Sequence, residues 1–194
     1  MNVKDWVVII TGGGTGVGAA AALKLAEHGA RIVINYSRSK PEAEATATEC
    51  EKFGVETLVC KGDVSKDEDC RNIAVQTKEK WGRIDGLMNN AGTTQLVADN
   101  DLESLSAEDF LRIYSVNVVG AYQMARAVAP QMKDQGRGSI VNTSSIAGVM
   151  GIGSSIAYAA SKGAMNTMTL SLARLLAPEI RVNTVAPGFI TGRW

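Results

Sequence analysis

Short apolar runs alternate along this chain with longer segments whose apolar residues recur at helical spacing. Strands and helices that alternate with short connections indicate a parallel sheet with helices on both faces, because right-handed crossovers leave few other arrangements. The predicted strands cover residues 6–10, 31–35, 55–60, 84–89, 139–143 and 180–185. The predicted helices cover residues 16–28, 40–53, 66–81, 107–133 and 155–177.

A doubly wound α/β sheet of this kind has the strand order 3-2-1-4-5-6, and ligands bind beyond the carboxyl ends of its strands. Glycine-rich and polar segments stand at those ends in this sequence. They are residues 11–18 after strand 1, Asp63 and Val64 after strand 3, residues 90–92 after strand 4, Ser145 after strand 5, and Pro187 and Gly188 after strand 6. We therefore expect these segments to converge on one crevice between strands 1 and 4.

Composition places the chain among globular proteins. Its 194 residues are 45% apolar and 21% charged, with 20 basic and 20 acidic side chains. This suits one domain with a sizeable core. We see no basic run and no apolar stretch that could span a bilayer, so neither a nucleic-acid nor a membrane partner is expected. The first strand begins too early to leave room for a signal peptide, which favours a cytosolic location.

The cysteines suggest no metal or disulfide chemistry. Cys50, Cys60 and Cys70 are odd in number and form no CxxC pair, and the sequence has one histidine. Reduced structural thiols are therefore expected rather than a zinc site. His28 ends a predicted helix before Gly29, where the helix dipole suits it, and we assign it no chemistry.

A glycine-rich turn joins the first strand to the first helix. It runs from Thr11 to Gly18 and precedes a strong helix former. A chain without Cβ atoms lets a pyrophosphate approach backbone N–H groups, and the helix N-terminus adds positive partial charge. The turn meets only a GxGxxA spacing, at Gly14, Gly16 and Ala19. Glycines that merely turn the chain are the alternative.

Tyr158 and Lys162 stand four residues apart at the start of the last predicted helix, thirteen residues after Ser145. Four residues are about one helical turn, so the phenol and the ammonium share a face. A cation about 4 Å from the phenol would lower the tyrosine pKa toward 7, where an acid/base catalyst works best. A core tyrosine beside a surface lysine is the alternative, since YxxxK alone is common.

The motifs together resemble the short-chain dehydrogenase/reductase family, and most closely its 3-oxoacyl-carrier-protein reductase branch. The resemblance covers the whole chain and implies a Rossmann fold. The residues that carry it are Thr11, Gly12, Gly16, Gly18, the run 89–92, Asn117, Ser145, Tyr158, Lys162, Pro187 and Gly188.

The resemblance implies hydride transfer between a nicotinamide cofactor and a carbonyl or secondary alcohol. Tyr158 would be the acid/base, Lys162 would lower its pKa and hold the nicotinamide ribose, and Ser145 would bind the substrate oxygen. Asn117 would hold a water that links Lys162 to solvent. The cofactor-binding residues expected are Thr11, Gly12, Gly14, Thr15, Gly16, Val17, Gly18, Ser37, Arg38, Asp63, Val64, Asn90, Ala91, Gly92, Tyr158, Lys162, Pro187, Gly188, Ile190 and Thr191.

The segment after the second strand favours NADP over NAD. An NAD site usually places an acid about 20 residues past the glycines, and here no acid precedes Glu42. Arg38 and the hydroxyl of Ser37 could bind a 2′-phosphate instead. NAD remains possible, because many NADP-preferring relatives carry a basic residue where this chain has Thr15.

The sequence stops at Trp194, where family members usually continue through a substrate-binding segment and a seventh strand. A chain truncated at its C-terminus is therefore expected. The sequence does not name the substrate, and residues 93–102 would help to determine substrate choice.

The helix 155–177 is rich in small and apolar residues on more than one face, which predicts a homodimer or homotetramer.

Two other functions compete with an oxidoreductase. A nucleotide-binding regulator of the same fold would be expected to lack at least one of Asn117, Ser145, Tyr158 and Lys162, and all four are present. A sugar-nucleotide epimerase would usually show another glycine spacing and a longer C-terminal domain.

Overall fold

A computed structural model describes residues 3–98 and 101–191. Its strands form one parallel six-stranded sheet in the order β3-β2-β1-β4-β5-β6, which confirms the predicted topology. The strands are β1 Val7–Ile10, β2 Arg31–Tyr36, β3 Thr57–Lys61, β4 Gly86–Asn89, β5 Gly138–Thr143 and β6 Ile180–Val185. The α-helices are α1 Gly16–Glu27, α2 Lys40–Glu51, α3 Asp67–Trp81, α4 Ala107–Tyr114, α5 Ala121–Asp134, α6 Ala147–Met150 and α7 Ile156–Leu176.

Helices cover both faces of the sheet. On one face, α1 and α2 pack against Val8, Ile10, Ile32 and Ile34. On the other face, α3, α5 and α7 close a larger core over the opposite side chains of the same strands. Burial of both faces explains why the strands read as continuous apolar runs rather than as alternating ones.

The register brings the functional segments to one edge. Ile10 pairs with Met88, Asn89 with Asn142, and Thr143 with Val185, so β1, β4, β5 and β6 end at nearly the same level. The segments that follow these strands therefore start side by side.

The segment predicted as a helix over 107–133 is helical throughout, but it is not one regular α-helix. The helix is interrupted by a π-helical segment, Ser115–Gly120, between α4 and α5. A wider turn inserts a residue without changing the apolar pattern much, so periodicity alone does not reveal it. The short helix α6 was not predicted either. Asp99 and Asn100, in the loop expected to choose the substrate, lie outside the described residues.

Candidate active site

The glycine-rich turn packs tightly against the chain itself. Gly12 has a φ of +62°, and a Cβ there would lie 3.1 Å from Ala91 Cα. A Cβ at Gly18 would overlap the carbonyl oxygen of Gly12, and one at Gly14 would lie 2.9 Å from the backbone nitrogen of Ala43 in α2. These glycines are therefore needed for the turn to sit between the segment after β4 and helix α2.

Two of the expected cofactor-binding residues join the segments that follow β1 and β4. Thr11 Oγ1 accepts hydrogen bonds from the backbone N–H groups of Asn90 at 2.9 Å and Ala91 at 3.0 Å. Asn90 Nδ2 donates back to the carbonyl oxygens of Thr11 and Gly12, at 3.2 Å each. Both side chains are engaged within the protein, so they shape the crevice rather than reach into it.

The N-terminus of α1 has no side-chain cap. Thr15 is its N-cap, yet the Thr15 side chain makes no capping hydrogen bond and the first turn has no acidic residue. The first backbone N–H groups of a helix lack partners within it and carry positive partial charge. By contrast, Ser106 and Asp109 form a complete capping box on α4. The backbone amides of Gly16, Val17 and Gly18 stand at this uncapped end of the helix.

The ends of β2 and β3 present a mixture of free and engaged groups. Ser37 and Arg38 are exposed directly after β2. Asp63 Oδ1 accepts from the Ser65 backbone N–H and hydroxyl, at 3.0 and 2.7 Å. Val64 is buried, and its carbonyl oxygen accepts from Gln123 Nε2 at 2.8 Å. The Val64 side chain and carbonyl therefore serve the fold.

Helix α7 places Tyr158 and Lys162 beside Ser145, which follows β5. Ser155 caps the helix by accepting from the Tyr158 backbone N–H at 3.2 Å. Lys162 Nζ lies 5.5 Å from the centre of the Tyr158 ring and donates to the carbonyl oxygen of Thr143 at 2.7 Å. The Tyr158 side chain is hydrogen-bonded to Ser145, whose Oγ also accepts from the Ala147 N–H at 3.1 Å.

The direction of the tyrosine pKa differs from the sequence-based expectation. Burial raises the pKa of Tyr158 above its ordinary value, and the hydrogen bond to Ser145 opposes that rise. Burial also lowers the pKa of Lys162 to about 8, because only 3% of this residue is exposed. In this structure burial is therefore the largest influence on the pKa of Tyr158, and the hydrogen bond to Ser145 is what lowers it. The lowering by Lys162 that the spacing predicts stays a prediction.

Asn117 and Lys162 approach the same glycine. A Cβ at Gly92 would lie 3.5 Å from Asn117 Oδ1 and 3.8 Å from Lys162 Nζ. Asn117 Nδ2 also donates to Ser161 Oγ at 3.0 Å, beside Lys162 on α7. The π-helical segment therefore places Asn117 against the base of the site.

The last expected cofactor segment follows β6. The carbonyl oxygen of Pro187 accepts from the Ile146 N–H at 2.9 Å, which ties this segment to the residue after Ser145. Within the described part of the chain, no atom lies within 4 Å of a Cβ placed on Gly188, and Ile190 and Thr191 are exposed.

Sequence reasoning missed three contributors to the site. Thr143 supplies the carbonyl that holds Lys162, Ser161 supports Asn117, and Gly153 lies beside Tyr158. Ser144 acts as a neighbour only, since its Oγ donates to the backbone oxygen of Lys162 at 3.2 Å. The position of Gly153 just before the N-cap of α7 could have indicated its role from the sequence. The carbonyl of Thr143 gives no such indication, because every residue has a backbone carbonyl.

The cysteines and the helices add two findings. Cys50, Cys60 and Cys70 are free and buried, and desolvation raises the pKa of each thiol to about 11, 11 and 12 respectively. Among the helices described, none is long and apolar enough to cross a membrane.

Comparison with known proteins agrees with this geometry. The short chain dehydrogenase family model matches residues 6–193. The chain is 41% identical over 189 residues to an uncharacterized oxidoreductase of Thermotoga maritima, covering 97% of this chain and 73% of that one. It is 36% identical over 183 residues to the 3-oxoacyl-acyl-carrier-protein reductase FabG of Staphylococcus epidermidis, covering 94% and 74%.

A solved structure is similar throughout the described fold. The crystal structure of NAD⁺-bound xylitol dehydrogenase superimposes with a TM-score of 0.91 at 36% identity, covering 97% of this chain and 72% of that chain. The sheet order, the family match and these identities lead to one assignment. The chain belongs to the short-chain dehydrogenase/reductase family, and it is an NAD(P)-dependent oxidoreductase that acts on carbonyl or alcohol groups.

Proposed function

We propose that Tyr158 is the general acid for carbonyl reduction and the general base for alcohol oxidation. The observation that carries this proposal is the hydrogen bond between Tyr158 and Ser145, with Lys162 Nζ 5.5 Å from the ring. Ser145 would donate to the substrate oxygen and share the charge that develops on it. A bound nicotinamide cofactor would supply the hydride for reduction or accept it in oxidation.

Lys162 would act as a cation in this site. With a pKa of about 8 it stays largely protonated at neutral pH. Its bond to Thr143 keeps Nζ on the Tyr158 side of the helix. We propose that Lys162 favours the phenolate during proton transfer and holds the nicotinamide ribose, and that Asn117 supports the path by which Lys162 regains a proton.

The uncapped N-terminus of α1 would hold the pyrophosphate of the cofactor. We propose NADP as the preferred cofactor. Ser37 and Arg38 are exposed at the end of β2, and the next acid along the chain is Glu42. A guanidinium there would attract a 2′-phosphate, whereas a carboxylate would repel it.

We propose a carbonyl compound as the substrate, with a 3-oxoacyl thioester as the first candidate. The support is the identity to a 3-oxoacyl-acyl-carrier-protein reductase. A panel with NADPH and NADH tests the proposal, using an acetoacetyl thioester, simple ketones, steroids and sugars. Turnover of at least one carbonyl with NADPH is expected. A protein that binds NADPH yet reduces none of these, and oxidises no alcohol, would contradict it.

We also propose that the described residues form one dinucleotide-binding domain, since a single sheet carries both cores. The homodimer or homotetramer remains a proposal supported by exposed apolar side chains on α5 and α7. A cytosolic location stays a prediction.

A further inference from the structure

The wall beside the proposed acid consists of residues 146–156, between Ser145 and the first turn of α7. Ala147 packs against the Tyr158 ring. Gly153, with a φ of +124°, lies so that a Cβ there would be 3.2 Å from Ala147 Cβ and 3.9 Å from Tyr158 Cδ1. Through Ala147 and Gly153 this wall therefore touches the ring of the group proposed to react. The carbon substituents of a substrate whose oxygen binds Ser145 and Tyr158 would then lie close to the wall.

The wall carries no charged residue, and its large side chains point outward. Val149 is 72% exposed, Met150 is 62% exposed and Ile152 is 53% exposed. Ile146 and Ile156 flank them and are exposed as well. Apolar side chains gain free energy when a ligand removes them from water, at about 25 cal/mol per Å².

The few polar groups of the wall are already used. Ser155 Oγ accepts from the Tyr158 N–H at 3.2 Å, and the hydroxyls of Ser154 and Thr94 lie 2.5 Å apart in a hydrogen bond. The carbonyl oxygen of Ser154 accepts from the Val97 N–H at 2.9 Å. A polyhydroxylated substrate would lose water at this wall without gaining matching hydrogen bonds.

The segment after β4 is hydrogen-bonded to the wall through Ser154, and its polar side chains are also paired. Gln95 Oε1 accepts from Arg112 Nη2 at 3.3 Å, and the same guanidinium donates to Asp109 at 3.0 Å. A sugar hydroxyl that bound either group would have to compete with an existing contact.

We propose that the substrate is a ketone or secondary alcohol whose reacting carbon carries an extended apolar group, and that this group lies on the wall formed by Val149, Met150 and Ile152. This inference rests on the proposed function, because it assumes that the substrate oxygen binds Ser145 and Tyr158. It favours apolar ketones and secondary alcohols over polyols as substrates.

The test is a homologous series with the purified protein, from 2-butanone to 2-decanone with NADPH, and 2-alkanols against xylitol with NADP⁺. The value of kcat/KM should rise about two- to fourfold per methylene until the wall is covered. Val149→Ser and Ile152→Ser should lower kcat/KM for 2-decanone by about three- to tenfold, mainly through KM. Val75→Ser is the matched control, because Val75 is 51% exposed on α3, away from the site.

A measurement without turnover complements the kinetics. The oxidised cofactor with 2-decanone cannot react, and this pair should slow amide hydrogen exchange in residues 146–156 more than the same cofactor with 2-butanone does. A flat kcat/KM series, a preference for xylitol, or equal protection by both ketones would overturn the inference. So would a Val149→Ser variant whose oligomer mass falls while its chain-length dependence is unchanged, since a second copy would then cover the wall. If no ketone or alcohol of any length reacts, the proposed function fails. The comparison of hydrogen exchange with 2-decanone and with 2-butanone then decides whether the wall binds an apolar group.

Discussion

The side chain of Asn117 binds both backbone groups of Thr93. Its Oδ1 accepts from the Thr93 N–H at 2.8 Å, and its Nδ2 donates to the Thr93 carbonyl oxygen at 3.0 Å. Asn117 is fully buried within the π-helical segment. It therefore fixes the start of the loop that runs from β4 past the proposed substrate position.

Asn117→Ala should destabilise the protein by about 2–4 kcal/mol, because it leaves buried or partly buried polar groups of Thr93 and Ser161 without partners. Urea unfolding measures this loss. Asn72→Ala, at an exposed position on α3, is the control and should change stability by less than about 0.5 kcal/mol. Equal stability of the Asn117 variant and the wild type would show that the contact with Thr93 contributes nothing.

Tyr158→Phe should reduce kcat by several orders of magnitude while the cofactor still binds with nearly unchanged affinity. The variant keeps the ring that packs on Ala147 and removes only the hydroxyl that transfers the proton. Steady-state kinetics and NADPH fluorescence titration measure the two effects. The control is Tyr122→Phe on α5, where the tyrosine is 44% exposed and contacts Arg126 rather than Ser145, and this variant should behave like the wild type. Retained turnover in Tyr158→Phe would rule out this residue as the acid.

Burial of the Lys162 ammonium should lower the free energy of unfolding of the protein. Its folded pKa of about 8 lies below the ordinary 10.5, so between these values the unfolded chain holds a proton that the folded chain lacks. The lysine therefore contributes a stability term that rises with pH across this window, and at neutral pH it costs about 3 kcal/mol.

Lys162→Met should accordingly raise the free energy of unfolding at pH 7 by about 1–3 kcal/mol, after allowing for the lost bond to Thr143. Its advantage over the wild type should shrink as the pH rises from 8 to 10.5. Urea unfolding at several pH values measures both. Lys133→Met, on the surface of α5, should show no such pH-dependent difference. A Lys162 variant less stable than the wild type at pH 7 would contradict the desolvation argument.

Arg38→Asp should weaken NADPH binding by about 2–4 kcal/mol and leave NADH unchanged or improved. The substitution replaces the proposed partner of the 2′-phosphate by a like charge. Competitive titration with both cofactors measures the difference. Lys78→Asp makes the same change of charge sign in the last turn of α3, which lies near the start of β3 rather than at the end of β2, and serves as the control. Equal losses for NADPH and NADH would show that Arg38 does not recognise the phosphate.

Assembly should depend on the outer face of α7. Leu170 and Leu175 are exposed there, whereas Leu172 is buried in the sheet core. Leu170→Glu should therefore lower the mass measured by light scattering at micromolar concentration, because a charge would be buried at the subunit contact. Val75→Glu on α3 is the control. A wild-type protein that is an active monomer would exclude the proposed dimer or tetramer.

The sequence by itself determined the sheet and where its functional segments stand. Six apolar runs separated by helical segments predicted the strand order, because buried parallel strands and right-handed crossovers permit few alternatives. The order of Thr11, Asn117, Ser145, Tyr158 and Lys162 along the chain was enough to indicate the family. These features depend on local pattern and spacing, which a sequence contains directly.

Only the tertiary structure decided how each group is used. Thr11 and Asn90 turn out to bind each other's segments, and Lys162 is held by the carbonyl of Thr143. The pKa values of Tyr158 and Lys162 follow from burial, which is a property of everything packed around them rather than of their spacing. The place of the π-helical segment in the site also depends on tertiary structure, because the contacts of Asn117 with Thr93 and Ser161 join residues that are distant along the chain.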